Sequence, residues 1–533
     1  MDEGRTRDVT ATALAPGTPY DAVPYESHPF ARTHISHLHM LGRLHGMAPA
    51  DFRRCRVLEL GGASGGNLIP MAMDFPDSEF LGIDLSARQI EAGNVHVANL
   101  GLKNIVLRTA SIMDVGADYG QFDYIVCHGV FSWVPPAVQD KILSIFRERL
   151  KPRGVAVFSY NAMPGWHLLR TLREMMLYHG ERFADPLERA REARKLLHFL
   201  GEFGDGDKKH PFRQLLRDEL DQITKKADWY LLHDYMEENN YQFYFHEIVE
   251  KLKAQGLLYI GDADLRHLRD GRLPQDASET LAASDDPVRR EQYMDFARMR
   301  GFRSTVVCHE NVKVELDVPN ERILDCFWST ALQPREALEL RPDALGPPLT
   351  FAIPGRDISL TTVGLATAAY YTLCRQPKYP VRPASVVKQA MERFGIADGP
   401  GLRAALLDHA EGLLAAGAIG LYERDECWLS APPQLPEASR LARYQATYST
   451  WVTSLRHSRE EVDPLMRIVL QYLDGQHGRE AIAGKVLELA AKGMIEVETK
   501  GGPGASPGDT ARRIALAVDD ALKELAQKAL LLA

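Results

Sequence analysis

A doubly wound α/β sheet followed by mostly helical domains, one of them winged-helix-like, is the fold class that the sequence predicts. Three observations predict it. Between Arg54 and Tyr160, five short and nearly all-apolar runs (CRVLEL, EFLGIDL, NIVLRTA, FDYIVCHGV and GVAVFSY) alternate with helix-patterned segments such as SARQIEAGNVHVANLG and VQDKILSIFRERL. Strands of that kind belong to a parallel sheet covered by helices on both faces. From Trp166 to about Leu268, charged and apolar residues recur at helical spacing, as in PLERAREARKLLHFLGEF and FHEIVEKLKAQGLLYI. Near Leu360 a fresh unit begins. VGLATAAYYTLCR, SVVKQAMERFG and LRAALLDHAEGLLAAGAI read as three helices, and GLYERDECWLS closes them as a short hairpin, the pattern of a winged helix.

The chain has 533 residues, enough for roughly three or four domains. The expected division is an N-terminal segment over 1–50, a Rossmann-like domain over 51–165 and a helical domain over 166–330. A winged-helix-like middle domain over 331–432 and a helical C-terminal domain over 433–533 complete it. The formal charge is −9, with 45% hydrophobic and 25% charged residues. That is ordinary for a globular protein and wrong for a disordered one. The acidic balance lacks the basic domain that usually marks nucleic-acid binding. Six cysteines without a CxxC pair fit reduced thiols better than a disulfide framework or zinc site. No apolar run is long enough to span a membrane, and the N-terminus lacks the apolar core of a secretory signal. Cytoplasmic residence, without membrane insertion, is the expectation.

The most informative stretch is VLELGGASGGN, Val57 to Asn67. An apolar strand feeds a glycine-rich turn that opens a helix. Glycines let the backbone turn sharply and approach a ligand closely, and the helix beyond presents unpaired N–H groups. The spacing is not G-x-G-x-x-G, because position 63 is Ala, and Glu59 would be an awkward neighbour for a pyrophosphate. An acid before the glycines suits a cationic ligand. The second strand ends in Asp84, where an acid grips a ribose diol. A nucleoside with positive charge and no phosphate answers both, and S-adenosyl-L-methionine is that ligand.

ELGGASGGN, GIDLS and FDYIVCHGV, in that order, resemble a class I S-adenosylmethionine-dependent methyltransferase. The resemblance implies that Glu59, Gly61, Gly62, Ser64, Gly65 and Asn67 line the methionine and sulfonium end of the cofactor. It implies that Asp84 binds the ribose hydroxyls, with Leu85 and Gln89 beside the adenosine. Ser111 and Ile112 would follow at the adenine edge, with Cys127 and His128 after the fourth strand. Ala63 departs from the glycine common in the family. Ser111 stands where an acid often contacts the adenine, which leaves that contact to backbone groups. Further motifs (YDAVPYESHPFARTH, SWVPP, SYNAMPGWH, WYLLHDYMEENNYQFYFHEIVEKLKAQGLLYIGDA and LARYQA) resemble a bacterial subfamily carrying a methyltransferase regulatory domain. That subfamily includes the rickettsial outer-membrane-protein lysine methyltransferases. It implies a protein substrate, such as a surface protein before export, and a homodimer through the helical region after residue 170.

Ligands of a doubly wound sheet bind beyond the carboxyl ends of its strands. His128, Phe131 and Trp133 follow the fourth strand there, and Tyr160, Asn161, Trp166 and His167 the fifth. Tyr20 and Tyr25 lie in the N-terminal segment, which can fold over the cofactor as a lid. Tyr25, His128, Trp133, Tyr160 and Trp166 are therefore the expected acceptor pocket. Each has a plainer alternative: Trp133 can pack a loop, Trp166 can anchor the next helix and His128 can end a strand. His34, His37, His39 and His45 have no acid or cysteine partner to complete a metal site, so no metal is expected. Trp229, Tyr230 and the aromatic run from Tyr241 read as domain packing or an interaction surface. Lysine methylation of proteins leads the functional readings. A small-molecule methyltransferase and a cofactor-sensing nucleic-acid-binding regulator stay open beside it, although the middle unit carries few basic residues for phosphate.

Overall fold

The computed structural model describes residues 25–202, 217–268 (save 219, 222 and 224), 286–335, 348–376, 379–424, 428–429, 431–494 and 507–532. Tyr20, the acidic turn-rich stretch 269–285 and most of the loop at 500–508 lie outside them.

Five parallel strands arise from the five apolar runs: β1 (Arg56–Leu60), β2 (Glu79–Asp84), β3 (Ile105–Thr109), β4 (Phe122–Cys127) and β5 (Leu150–Ala162). Helices α1 (Ile35–Leu44), α2 (Leu68–Asp74), α3 (Ala87–Asn99) and α4 (Pro136–Arg149) accompany them. Side chains alternate across a strand, and the core divides accordingly. Val57, Tyr124, Val126, Val155 and Val157 face a cluster that includes α1 and α2. Leu58, Leu60, Ile125, Cys127, Ala156 and Phe158 face a second cluster that includes α4.

The sheet does not stop at residue 165. After α5 (Trp166–Gly180), α6 (Pro186–Glu202) and α7 (Asp228–Tyr235), the two-residue strand β6 (Gln242–Phe243) pairs with the end of β5. Beyond α8 (Phe245–Ala254), β7 (Leu257–Asp262), α9 (Pro287–Arg298) and β8 (Phe302–His309) follow. The order is β3-β2-β1-β4-β5-β8-β7, with β8 antiparallel to both neighbours. The division expected at 165/166 is thus crossed: part of the nominally helical 166–330 region completes the cofactor sheet. Arg303 of β8 is fully buried, with Asp295 of α9 at 2.8 Å, Glu291 at 2.8 Å and the Phe245 ring centroid at 4.0 Å.

The winged-helix expectation for 331–432 needs correcting. Strands β9 (Phe327–Thr330), β10 (Gln333–Pro334), β11 (Leu349–Ala352) and β12 (Ser359–Thr362) precede α10 (Gly364–Cys374), α11 (Pro383–Phe394) and α12 (Gly399–Ala416). β13 (Ile419–Tyr422) then pairs antiparallel with β9, on the near side of the three helices, and Trp428 bridges to Leu532. The described residues of GLYERDECWLS thus pair with β9 and Leu532 rather than with one another, and residues 425–427 and 430 lie outside the described residues. The hairpin lies further on, in the region expected to be helical. After α13 (Arg440–Gln445), β14 (Trp451–Thr453) pairs with β15 (Arg459–Glu461), followed by α14 (Pro464–Gln471), α15 (Arg479–Ala491) and α16 (Pro507–Gln527). Tyr444 of α13 holds this unit to α3 through His96 at 3.0 Å and Asn99 at 2.9 Å. Among the described residues no helix is long and apolar enough to cross a membrane.

Candidate active site

The turn after β1 is built by positive-φ backbone at Gly61 (+72°), Ala63 (+47°) and Gly65 (+76°). Alanine in the left-handed region costs about 1–2 kcal/mol, and the loop offsets it with a fixed bond. The Ala63 N–H donates to Asp84 Oδ2 at 2.8 Å, while Oδ1 of the same carboxylate accepts from Ser86 N–H at 2.9 Å. Gly61 and Gly62 N–H both donate to the Ile83 carbonyl. Asp84 thus stands at the tip of β2, locking the glycine loop to the start of α3. Ser86 caps α3 by accepting from Gln89 N–H, and the Gln89 side chain is buried. Leu85, beside Asp84, is 40% exposed, an apolar surface facing outward at the rim. Ser111 caps the turn Ile112–Asp114 with its hydroxyl and exchanges a second bond with Asp114.

Glu59 is the acid with unmet bonding. It is 4% exposed; Oε1 accepts from Asn67 Nδ2 at 2.7 Å, and buried Oε2 has no hydrogen-bond partner. A side chain on Gly62 would come within 3.1 Å of that oxygen, so glycine there keeps the approach to Oε2 open. Burial pushes the Glu59 pKa up to about 7; the Asn67 bond opposes the rise and the Asp84 charge adds to it. An orphaned buried carboxylate oxygen beside a glycine loop fits a positively charged group, as a sulfonium nucleoside bearing an amine would supply.

An N-terminal strap crosses this loop. Ser27 Oγ accepts from Gly66 N–H at 2.8 Å, and Phe30 N–H donates to Asn67 Oδ1 at 3.1 Å. A Cβ on Gly66 would lie 2.4 Å from the Ser27 carbonyl oxygen, so only glycine admits the strap. From the far end of the chain, His457 at the β14–β15 turn reaches the same amide, Nε2 to Asn67 Oδ1 at 2.8 Å. Burial and the Arg424 charge lower the His457 pKa to about 3, so the ring stays neutral. Glu26 of the strap accepts from Trp451 Nε1 at 2.6 Å and pairs with Arg459 at 2.5 Å. The roles of Ser27, Phe30 and His457 carry no sequence signal, because each depends on a contact between distant segments.

The expected acceptor residues are divided by the structure. Trp133 and Trp166 meet at 6.4 Å between ring centroids, and Trp166 stacks near Tyr235 of α7 at 6.2 Å. Tyr25 packs edge-on against Trp229 of α7 at 5.1 Å. His128 sits under Phe30 at 4.1 Å, with its buried Nδ1 unpartnered; burial, with His28 and Arg32 nearby, lowers its pKa to about 4. Tyr160 is the correction. It is 1% exposed, its hydroxyl accepts from Thr305 at 3.2 Å, and its ring joins Phe158 and Phe243 in the core. Strand alternation places it on the apolar face, with Ser159 and Asn161 on the other. The four histidines of the α1 region have separate partners: His34 binds Ser36, and His37, His39 and His45 bind the carbonyls of Ala263, Ala50 and Glu315.

A seven-strand path with an antiparallel β8, an acid–glycine turn after β1 and an acid closing β2 define a class I S-adenosylmethionine-dependent methyltransferase. Comparison with known families places the modules. A methyltransferase domain matches residues 58–156, a predicted methyltransferase regulatory domain 227–309, and a PKMT C-terminal winged helix domain 435–530. Uncharacterized protein RP789 of Rickettsia prowazekii is 36% identical over 495 residues, covering 92% of this chain and 89% of that protein. The structure of PKMT2 from Rickettsia typhi in complex with AdoHcy superposes with a TM-score of 0.88 and 31% identity, covering 96% of this chain and all of that one. The chain belongs to this family, the S-adenosylmethionine-dependent methyltransferases with a regulatory domain and a PKMT winged helix. The winged helix is the unit containing the β14–β15 hairpin.

Proposed function

We propose that the protein transfers methyl groups from S-adenosylmethionine to lysine side chains of protein substrates, surface proteins before export among them. The observation that carries the reading is the likeness to the PKMT2 structure along nearly the whole length of both chains. When bound, the cofactor supplies an electrophilic methyl group on a sulfonium. On this reading Glu59 Oε2 receives its cationic end, Asp84 holds the ribose hydroxyls and Leu85 covers the adenosine. Gly61, Gly62, Ser64, Gly65 and Asn67 shape the cradle, Gln89 supports it, and Ser111 and Ile112 border the adenine edge. Neutral His128, Trp133 and Trp166 flank the acceptor, and residues 25–34 act as the lid. The half-buried Trp133 and buried Trp166 lower the pKa of an acceptor amine by excluding water, which frees its lone pair. The same ring faces stabilise a methylammonium product.

The experiment that tests this is incubation of the protein with radiolabelled cofactor and bacterial lysate, then hydrolysis of the protein fraction. Label is expected in N-methyl-lysine. Label confined to small molecules would select the small-molecule reading instead.

The state of Glu59 sets a pH dependence for cofactor binding. Its raised pKa means that the carboxyl is protonated below about pH 7. A cationic ligand favours the ionised form, so binding there releases a proton. Affinity is expected to rise with pH, by up to about tenfold per pH unit below 7, and to level off above it. Calorimetry in two buffers of different ionisation enthalpy reads the proton directly. Glu59→Gln is expected to bind more weakly and to flatten the profile; an unchanged slope would place the titrating group elsewhere.

A further inference from the structure

The regulatory segment carries a buried-edge acid that the site above does not use. Asp234 lies on the last turn of α7, half-buried, where Tyr230 four residues earlier hydrogen-bonds its carboxylate. The Trp229 ring lies 5.7 Å from Tyr230, and the Tyr25 ring lies 5.1 Å from Trp229, nearly perpendicular to it. Tyr25, Trp229 and Tyr230 are all half-buried, so their rings are reachable from solvent. Tyr230 bonds the carboxylate, the Asp234 charge acts on Tyr25, and Trp229 packs against both rings. Ring faces beside an anion make a binding place for an alkylammonium, because both attract the same charge. The protein already puts such a group there: Lys226 Nζ sits 5.0 Å from the centroid of the Tyr230 ring, and its charge acts on Asp234.

The cluster also stands in the right place. Tyr25 is two residues before Ser27, which holds the Gly66 N–H, and two residues of chain span at most about 7 Å. On the other side, the segment after α7 is tied to the rim of the sheet. Tyr241 N–H donates to the Ser132 carbonyl at 2.8 Å, and Gln242 pairs with Asn161 at the end of β5. The cluster is therefore fixed to the carboxyl ends of β4 and β5 and to the lid over the glycine loop.

We propose that Asp234, with the Tyr25 and Tyr230 rings and with Trp229 packed against both, is the docking site that first captures the acceptor lysine as its ammonium, before the amine gives its proton to water and enters the drier walls of Trp133 and Trp166, and so selects amine acceptors over neutral ones. The proposal rests on the protein-lysine reading and names how that substrate is recognised. Asp234 is a binding and specificity residue here, and no proton transfer is assigned to it. Burial raises its pKa to about 6, with the Tyr230 bond and Lys226 opposing, so the carboxylate is ionised at neutral pH and incompletely compensated.

The test uses the full chain and three otherwise identical peptides of glycine and serine around lysine, trimethyllysine or acetyllysine, read by quenching of tryptophan fluorescence. The two cationic peptides are expected to bind, and the acetyllysine peptide to bind at least about tenfold more weakly, the loss of one charge-assisted contact. Asp234→Asn is expected to raise the Kd of both cationic peptides at least about tenfold and to leave AdoHcy binding unchanged; Asp234→Glu restores part of the affinity. On a labelled protein acceptor the same variant raises KM more than it lowers kcat. Equal binding of lysine and acetyllysine peptides, no binding of either cationic peptide, or an Asp234→Asn protein with unaltered Kd overturns the proposal. Formation of methyl-lysine is scored separately. A protein that makes it and ignores Asp234→Asn keeps the function and loses this site. One that binds cations through Asp234 without making methyl-lysine keeps the site and loses the function.

Discussion

Asp84→Ala is expected to weaken cofactor binding by roughly 10²–10⁴-fold while leaving the chain folded. Two bonds from a carboxylate to ribose hydroxyls, at roughly 1.5–3 kcal/mol each, account for that range. The structure adds a second contribution. The same carboxylate holds the N–H groups of Ala63 and Ser86, so its removal also loosens the glycine loop at its one left-handed alanine. Asp84→Asn keeps a single acceptor oxygen and is expected to fall between the wild type and Asp84→Ala. Isothermal calorimetry with AdoHcy reads the change, and circular dichroism checks the fold. A Kd unaltered by Asp84→Ala would remove the ribose role from this residue.

Arg303→Ala is expected to be the most destabilising single change in the sheet, lowering the unfolding free energy by about 3–5 kcal/mol. Both oxygens of Asp295 and one of Glu291 lose their partner within 2.8 Å. Among the described residues, Asp295 then keeps Arg300 at 3.7 Å in the core. The penalty comes from stranding a buried anion rather than from the intrinsic strength of the pair. It follows that the double variant Arg303→Met with Asp295→Leu should recover most of the loss, since apolar replacements of buried ion pairs are often neutral. Urea unfolding followed by fluorescence measures both. A shift below about 1 kcal/mol in the single variant would show that water reaches Asp295.

The cofactor half of the fold was legible because its signals are local. β1, the glycine turn and β2 are contiguous in sequence, and their burial on both faces makes them read as apolar runs. β8 was harder, since Arg303 interrupts its apolar run and its partners β5 and β7 lie elsewhere in the chain. β13 was misread as half of a hairpin because its partner, β9, precedes three helices. The true hairpin, WVTSLRHSREE, is short and polar, and its strands are three residues each. Glu59 and Asp84 stood out from their positions at strand ends, and the structure sets both beside the glycine loop. Tyr160 was misjudged because position along a strand was weighed and side-chain parity was not. Trp229 and Tyr230 stood out as too aromatic for an exposed helix, but only the fold brings Tyr25 to them.

The hydrogen bond between His457 and Asn67 joins residues 390 positions apart. A ribosome adding roughly 5–20 residues per second therefore finishes the glycine turn some 20–80 s before the imidazole that braces it exists. A nascent or stalled chain can own every strand that precedes β14 and hold Asn67 through the strap, by the Phe30 N–H and the Thr33 hydroxyl, while still lacking the imidazole. The β14–β15 hairpin thus adds its hold on the glycine turn only after the whole cofactor sheet has been synthesised.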